Sequence, residues 1–517
     1  MRLRGSSIAG AIATALVLFL ALGTLVTVAI RAEGAGRLTG SDWAAIRFTV
    51  LQALLSAGLS GALAIPVARA LARRRFFARP LLVTLLGAPF VLPVIVAVLG
   101  LLAVFGRNGL VSQALGWFGL DPISIYGFHG VVLAHVFFNL PLATRLLLQG
   151  WASIPAERMR LAASLGFGPS DTVRHLEWPM LRATIPGAFL VIFLICTTSF
   201  AVALTLGGGP RATTVELAIY QAFRFDFDLG KAALLGLIQF AIGGTAAALA
   251  FVAMRQVETR AGADRPIQFW GVSSRLLKTQ DACILTLVTL FLIAPLLAIF
   301  ANGIGTVFSL PTPVYYALGR SIAIALTSAV LTLLLAGAMA VWAQRLARGG
   351  KLVEGVGYVS IAASPLVIGT GLFILLFPWT DPVALALPIT ALVNAVMALP
   401  FALRSLLPAL AQAEHDFGRL ADSLGLHGWQ RLRLLILPRL RRPIGFAMGL
   451  AAALSMGDLG VIALFADPEN ATLPLQLYRL MASYRMDDAA GAALLLLICA
   501  LALFWLFDRG GRINADT

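Results

Sequence analysis

The chain is expected to fold as an all-α polytopic membrane protein, with about twelve transmembrane helices in two parallel six-helix halves. Three observations lead there. The 517 residues are 59% hydrophobic and only 12% charged, against roughly half and a quarter in soluble domains. Apolar runs long enough to cross a bilayer recur from end to end, and the mean hydropathy is +0.90. Short patterns also repeat at one constant offset. This composition excludes a disordered or disulfide-stapled chain. The three cysteines, Cys196, Cys283 and Cys499, all sit in apolar runs, which argues against disulfides and against a thiolate metal site.

The spans follow in order, each about 17–25 residues to allow for tilt. Arg2 and Arg4 precede the first, near 8–30. Its apolar core exceeds the ~7–15 residues of a cleaved signal, so it is read as a retained span. Further spans are expected near 44–68, 81–105, 126–148, 183–206 and 231–254. A second set is expected near 282–301, 317–343, 352–377, 387–408, 443–465 and 489–507. The formal charge of +15 would suggest nucleic acid in a soluble protein, but in a membrane protein cationic residues collect on cytoplasmic loops. With a cytoplasmic N-terminus, Arg73, Arg74, Arg75, Arg79, the 255–278 segment, Arg431, Arg433, Arg439, Arg441 and Arg442 all fall on the cytoplasmic side. The rule therefore places both termini in the cytoplasm, with no nucleic-acid partner.

The repeat sets the organisation. At an offset of 399 − 140 = 259, Leu140-Pro141 matches Leu399-Pro400 and Arg145 matches Arg404. The same offset pairs Ser164-Leu165-Gly166 with Ser423-Leu424-Gly425, and Pro179 with Pro438; a one-residue slip pairs Tyr220 with Tyr478. Residues 1–255 and 282–517 are read as two equivalent halves joined by a cytoplasmic linker, 256–281. Six spans each make the halves insert the same way up, with a pathway between them.

The loop after the fourth span of each half, 151–182 and 409–442, is long for a helix connection, and such loops are usually functional. Gly166 to Pro179 and Gly425 to Pro438 share a spacing of 13 (179 − 166 and 438 − 425). The glycine ends one helix and lets the chain turn; the proline is expected to close the next helical stretch. Arg158, Met159, Leu161 and Leu165, with Phe417, Leu420 and Leu424 in the second copy, form an apolar ridge flanked by charge. An amphipathic helix lying on lipid is the plainer alternative. Two copies at one spacing favour docking to two copies of a partner.

These residues resemble the EAA loop of bacterial binding-protein-dependent ABC importer permeases. The pattern falls on Arg160-Leu161-Ala162, Gly166, Leu176 and Trp178-Pro179, and again on Arg419-Leu420-Ala421, Gly425, Leu435 and Leu437-Pro438. Both copies carry arginine at the usual glutamate position, with Glu157 and Asp416 three residues earlier. The stretches 134–149, 206–221 and 455–485 are similar to the thiamine/thiamine pyrophosphate permeases, and ferric-iron permeases share parts of the same layout. The resemblance implies a type I permease fold in the bacterial inner membrane, cytoplasmic ABC ATPase subunits on the two loops, and a periplasmic substrate-binding protein. The chain has no phosphate-binding G-x-x-x-x-G-K-[ST]. ATP and Mg are accordingly expected on the partner, with no cofactor, metal or catalytic group on this chain.

The expected substrate path comprises Asn139, Ser199, Tyr220, Asp458, Tyr478 and Tyr484. Asp458 lies near mid-span in Ser455-Met456-Gly457-Asp458-Leu459-Gly460. An intramembrane carboxylate is a functional candidate, although an Asp between glycines also bonds freed backbone in a broken helix. Its counterpart is Ser199 (199 + 259 = 458). Asn139 precedes Pro141 and suits helix packing as well as ligand contact. The segments 207–229 and 467–488 mix aromatics with carboxylates, which fits a flat cationic ring or an interfacial belt. His135 and His175 have no partner at metal-ligand spacing. An ion-coupled secondary transporter is the competing class, but it would ordinarily carry several buried acids. No nucleophile–base arrangement supports a membrane enzyme.

Overall fold

The computed structural model describes residues 4–32, 37–87, 91–209, 212–254, 275–346, 350–465 and 469–512. Most of the expected linker, 256–281, and Pro210 of the glycine-rich segment lie outside the described residues. Every regular element described is helical. α1 (Arg4–Leu18) passes through a π turn at Phe19–Gly23 into α2 (Thr24–Ala32). α3 (Gly40–Arg73), α4 (Arg79–Leu85), α5 (Val94–Phe105), α6 (Leu110–Gly116) and α7 (Phe128–Ala152) follow. Next come α8 (Ala156–Ser164), α9 (Pro169–Thr172), α10 (Trp178–Thr197), α11 (Phe200–Leu206), α12 (Val215–Arg224) and α13 (Leu229–Met254). The later elements are α14 (Arg275–Gly303), α15 (Thr312–Arg345), α16 (Gly350–Ala362), α17 (Pro365–Leu376) and α18 (Ala386–Ser423). α19 (Gly428–Arg431), α20 (Leu437–Met456), α21 (Gly460–Phe465), α22 (Leu473–Ala482) and α23 (Met486–Arg512) complete the chain.

Eleven helical segments among the described residues are long and apolar enough to cross a bilayer, against the twelve expected. The difference is the span expected near 352–377, which is built as two pieces, α16 and α17, separated at Ala363 and Ser364. Pro365 is the cause: it forces Ser364 into extended backbone (ψ 148°) and has no N–H to continue the ladder. Three other expected spans are also interrupted. The 81–105 span becomes α4 and α5, with Pro93 opening α5. The 183–206 span divides at Thr198 and Ser199, and the 443–465 span divides from Gly457 to Leu459.

Each chain-half sends its first helix into the other. α1 and α2 pack on α15, α16 and α17, while α14 packs on α5 and α3. One close contact of this kind is made twice. A Cβ on Gly100 (α5) would fall 2.6 Å from the Pro295 carbonyl oxygen (α14), and one on Gly371 (α17) would fall 2.6 Å from Thr24 Cβ (α2). The two pairs are related by a single shift, since 371 − 100 and 295 − 24 are both 271. Small residues let backbones approach this closely where no hydrophobic effect drives helices together.

Gly100→Val and Gly371→Val should each destabilise the protein by about 1–3 kcal/mol or more through overpacking, read as a lower melting temperature in detergent. Gly58→Ala, where an added Cβ meets nothing within 4 Å, should be neutral or slightly stabilising. Equal melting of all three variants would contradict the reciprocal contact.

Candidate functional site

The two expected loops form matched elbows. Arg160, Leu161 and Ala162 lie on α8, and Arg419, Leu420 and Ala421 lie on the last turns of α18. Both helices stop in the same way. The Phe167 amide donates to the Ala162 carbonyl at 3.0 Å and the Gly166 amide to that of Ala163 at 3.1 Å. In the second copy Leu426 donates to Ala421 at 2.9 Å and Gly425 to Asp422 at 3.1 Å. Such paired bonds require a left-handed residue after the helix, and Gly166 and Gly425 have φ of +66° and +64°. A Cβ at either would meet nothing within 4 Å. Glycine is therefore required for its backbone and not for its size. Ala162 and Ala421 are buried, whereas Arg160, Arg419, Leu161, Leu165, Leu420 and Leu424 are exposed, so the leucines of the ridge face outward while its Met159 and Phe417 are half-buried.

The prolines behave differently from expectation. Pro179 and Pro438 do not close a helix; each is the second residue of a long one, α10 or α20. A π turn precedes each, Val173–Glu177 and Leu432–Ile436, in which Trp178 donates to the Val173 carbonyl and Leu437 to that of Leu432. The wider i→i−5 turn lets the helix run on through a residue that has no amide and crowds the preceding carbonyls.

The elbows are anchored unequally, by carboxylates that sequence reading did not single out. Glu177 is buried and pairs with Arg69 Nε at 2.9 Å and Arg73 Nη2 at 3.0 Å, both on α3. Its positional equivalent is Ile436 (177 + 259 = 436), also buried. In the second elbow Arg431 bridges Glu414 and Asp422, tying the end of α18 to α19. Glu414 in turn stands where the first half has Pro155 (155 + 259 = 414). That proline separates α7 from α8, while α18 continues unbroken for 38 residues. A carboxylate inside Leu176-Glu177-Trp178-Pro179 was the available signal for the first anchor.

Four expected path residues gather at the helix breaks. Ser199 joins α10 to α11 and Asp458 joins α20 to α21. The carbonyls freed at the first break are capped from neighbouring helices: Gln52 Nε2 donates to Cys196 O at 2.9 Å and Gln239 Nε2 to Thr197 O at 2.8 Å. At the second break Asp458 Oδ1 accepts from the Gly460 amide at 3.2 Å, the backbone-bonding role weighed above. Gly457 lies against Pro93, where a Cβ would come within 2.9 Å of its Cα. A Cβ on Gly460 would lie 4.0 Å from the Phe200 ring, and Phe200 meets Tyr220 edge-on with centroids 5.2 Å apart. Tyr220 lies on α12 and Tyr478 at the matching place on α22. The helices that carry them start alike: the Val215 amide donates to Thr49 Oγ1 and the Leu473 amide to Ser321 Oγ, each at 2.8 Å.

The other two expected path residues are elsewhere. Asn139 is buried within one half, where Nδ2 donates to the His135 carbonyl at 2.9 Å and to Cys196 Sγ at 3.3 Å. Tyr484 is exposed in the turn between α22 and α23, with φ of +60°. Of the neighbouring carboxylates, Asp228 caps the Lys231 amide at 2.8 Å and Asp488 pairs with Arg485.

Residues 333–514 match the family of binding-protein-dependent transport system inner membrane components. The chain is 39% identical to a thiamine transport system permease protein of Brucella abortus, over 98% of this chain and 96% of that one. It is 40% identical to the proteins of the same description from Salmonella typhimurium and Escherichia coli K12, over 92% of this chain and 90% of each.

Glu177→Gln removes the charge that Arg69 and Arg73 share, but Arg69 is 30% exposed and Arg73 also feels Asp281, so the cost should be about 1–3 kcal/mol, seen as a drop in melting temperature in detergent. Arg512→Ala, which breaks an exposed pair with Asp508, should stay within about 1 kcal/mol of wild type. A Glu177→Gln protein that melts with the wild type would show the anchor to be dispensable.

Proposed function

Because this chain belongs to the family of binding-protein-dependent thiamine transport permeases, we propose that it is the membrane subunit of an ABC importer carrying thiamine or thiamine pyrophosphate. The observation that carries the substrate assignment is the likeness of 39–40% over nearly the whole length of relatives so described. The chain is a multi-pass inner-membrane protein. The elbow face is cytoplasmic and receives two copies of a separate ATPase, one at each Gly166 or Gly425 turn. The opposite face, with α12 and α22, receives the loaded periplasmic binding protein. Residues 1–255 and 282–517 act as two permease halves, and ATP with Mg resides on the ATPase alone.

The mechanism follows from the joints. Closure of the ATPase dimer draws the elbows together, and each elbow moves its half through one continuous helix, since α9 leads into α10 and α19 into α20 by a π turn without interruption. The exposed Leu161, Leu165, Leu420 and Leu424 supply apolar contact in the ATPase groove, and Arg160 and Arg419 flank it. Tyr220 and Tyr478 form the outer constriction. It opens as the halves rock apart and closes before the cargo leaves toward the cytoplasm. With arginine where relatives of the wider family carry glutamate, the charge at this contact is reversed, and its complement on the ATPase is acidic.

Gly425→Arg puts a side chain on a left-handed backbone and into the docking face. Uptake of labelled thiamine by reconstituted complex should fall below a tenth of wild type, and the ATPase should no longer co-purify in full amount. Normal uptake together with full co-purification would reject the docking role.

A further inference from the structure

Glu216 is the second residue of α12. It is 1% exposed, and neither carboxylate oxygen has a hydrogen-bond partner among the described residues. Ser364 lies beside it, close enough for its hydroxyl to interact with the carboxylate although no bond of full hydrogen-bond geometry is formed. That serine belongs to the other half, at the break before α17; it is fully buried, and its hydroxyl has no partner either. α12 and α17 pack directly on each other. The two unsatisfied groups therefore face each other across the contact between halves, one helical turn before Tyr220.

The fold itself does not need this carboxylate. The equivalent helix α22 has the same preceding threonine, Thr472 for Thr214, and the same amide-to-hydroxyl bond at its first residue. In the register that pairs Tyr220 with Tyr478 (478 − 220 = 258), the residue matching Glu216 is Pro474. The bond at the first residue is thus built without an acid, although Thr214 also caps the Leu217 amide and Thr472 makes no such cap. A carboxylate at a helix N-terminus gains from the aligned peptide dipoles, but that gain does not offset burial with no partner. Buried ionisable groups that the scaffold does not require mark ligand or ion pathways in membrane proteins.

We infer that Glu216 is the cation-recognising residue of the transport path, its carboxylate meeting the positive ring of the cargo when α12 and α17 part. The inference rests on the thiamine reading. A thiazolium has a permanent positive charge and no ring N–H to donate, so a bare carboxylate suits it better than a directional acceptor. An asymmetric cargo also calls for an acid on one side of the path only. Asp458 serves less well, since its Oδ1 already accepts from the Gly460 amide.

The test uses the whole complex, permease with ATPase in proteoliposomes, supplied with binding protein and labelled thiamine. The readout is thiamine delivered per ATP hydrolysed, which a general loss of assembly lowers far less than it lowers either rate alone. Glu216→Gln should reduce this ratio about tenfold or more, the scale of an unpaired charge contact, and Glu216→Asp should restore most of it. A Glu216→Gln complex with the wild-type ratio, or a Glu216→Asp complex as defective as the Gln variant, overturns the inference alone. A wild-type complex that delivers no thiamine overturns the substrate reading and the inference with it.

Discussion

The structure depends on one constraint: backbone amides and carbonyls buried in apolar surroundings need partners. A continuous helix meets that need by itself, so an interruption survives only where side chains replace the missing bonds. Four spans are interrupted here, and the replacements are specific. Gln52 and Gln239 reach in from other helices to the carbonyls of Cys196 and Thr197, while Asp458 bonds the amide that restarts its own chain. The interruptions also meet one another, Gly457 against Pro93 and Gly460 against Phe200. Irregular backbone from one half is thereby set against irregular backbone from the other.

Much of this was legible in the sequence because lipid imposes a simple rule on composition. Apolar runs located the spans, and the offset of 259 located both elbows with their glycines. The interruptions were less legible, since a span broken near its middle has the same average hydropathy as an intact one. Pro365 and Pro93 were visible signals, but Pro141 and Pro400 lie inside helices that continue, so proline alone does not decide. Pro179 misled for a related reason: the π turn that accommodates it is a backbone adjustment with no composition of its own. The reciprocal contact of Gly100 with Pro295 and Gly371 with Thr24 recurs at a shift of 271, so a search at the single offset of the elbows passes over it.

In the candidate site, the residues that sequence placed well are those whose role is conformational. Gly166 and Gly425 are required by left-handed backbone, and that requirement can be read from spacing. Residues whose role depends on a distant partner were not readable in this way. Glu177 gains its meaning from Arg69 and Arg73, about a hundred positions earlier, and Asn139 from Cys196 on another helix.

The duplication is faithful in geometry and unfaithful in stiffness. α18 is one continuous helix of 38 residues, with Pro400 and Pro408 inside it, about 57 Å long at the helical rise, so its elbow end is joined to the centre of the bundle without a break. The corresponding first-half strut is cut at Ser153, Ile154 and Pro155, and part of a push at its elbow is absorbed by bending at that knuckle. The symmetric pair of ATPase subunits proposed above would therefore work against two unequal loads, with two mechanically distinguishable strokes even from identical engines.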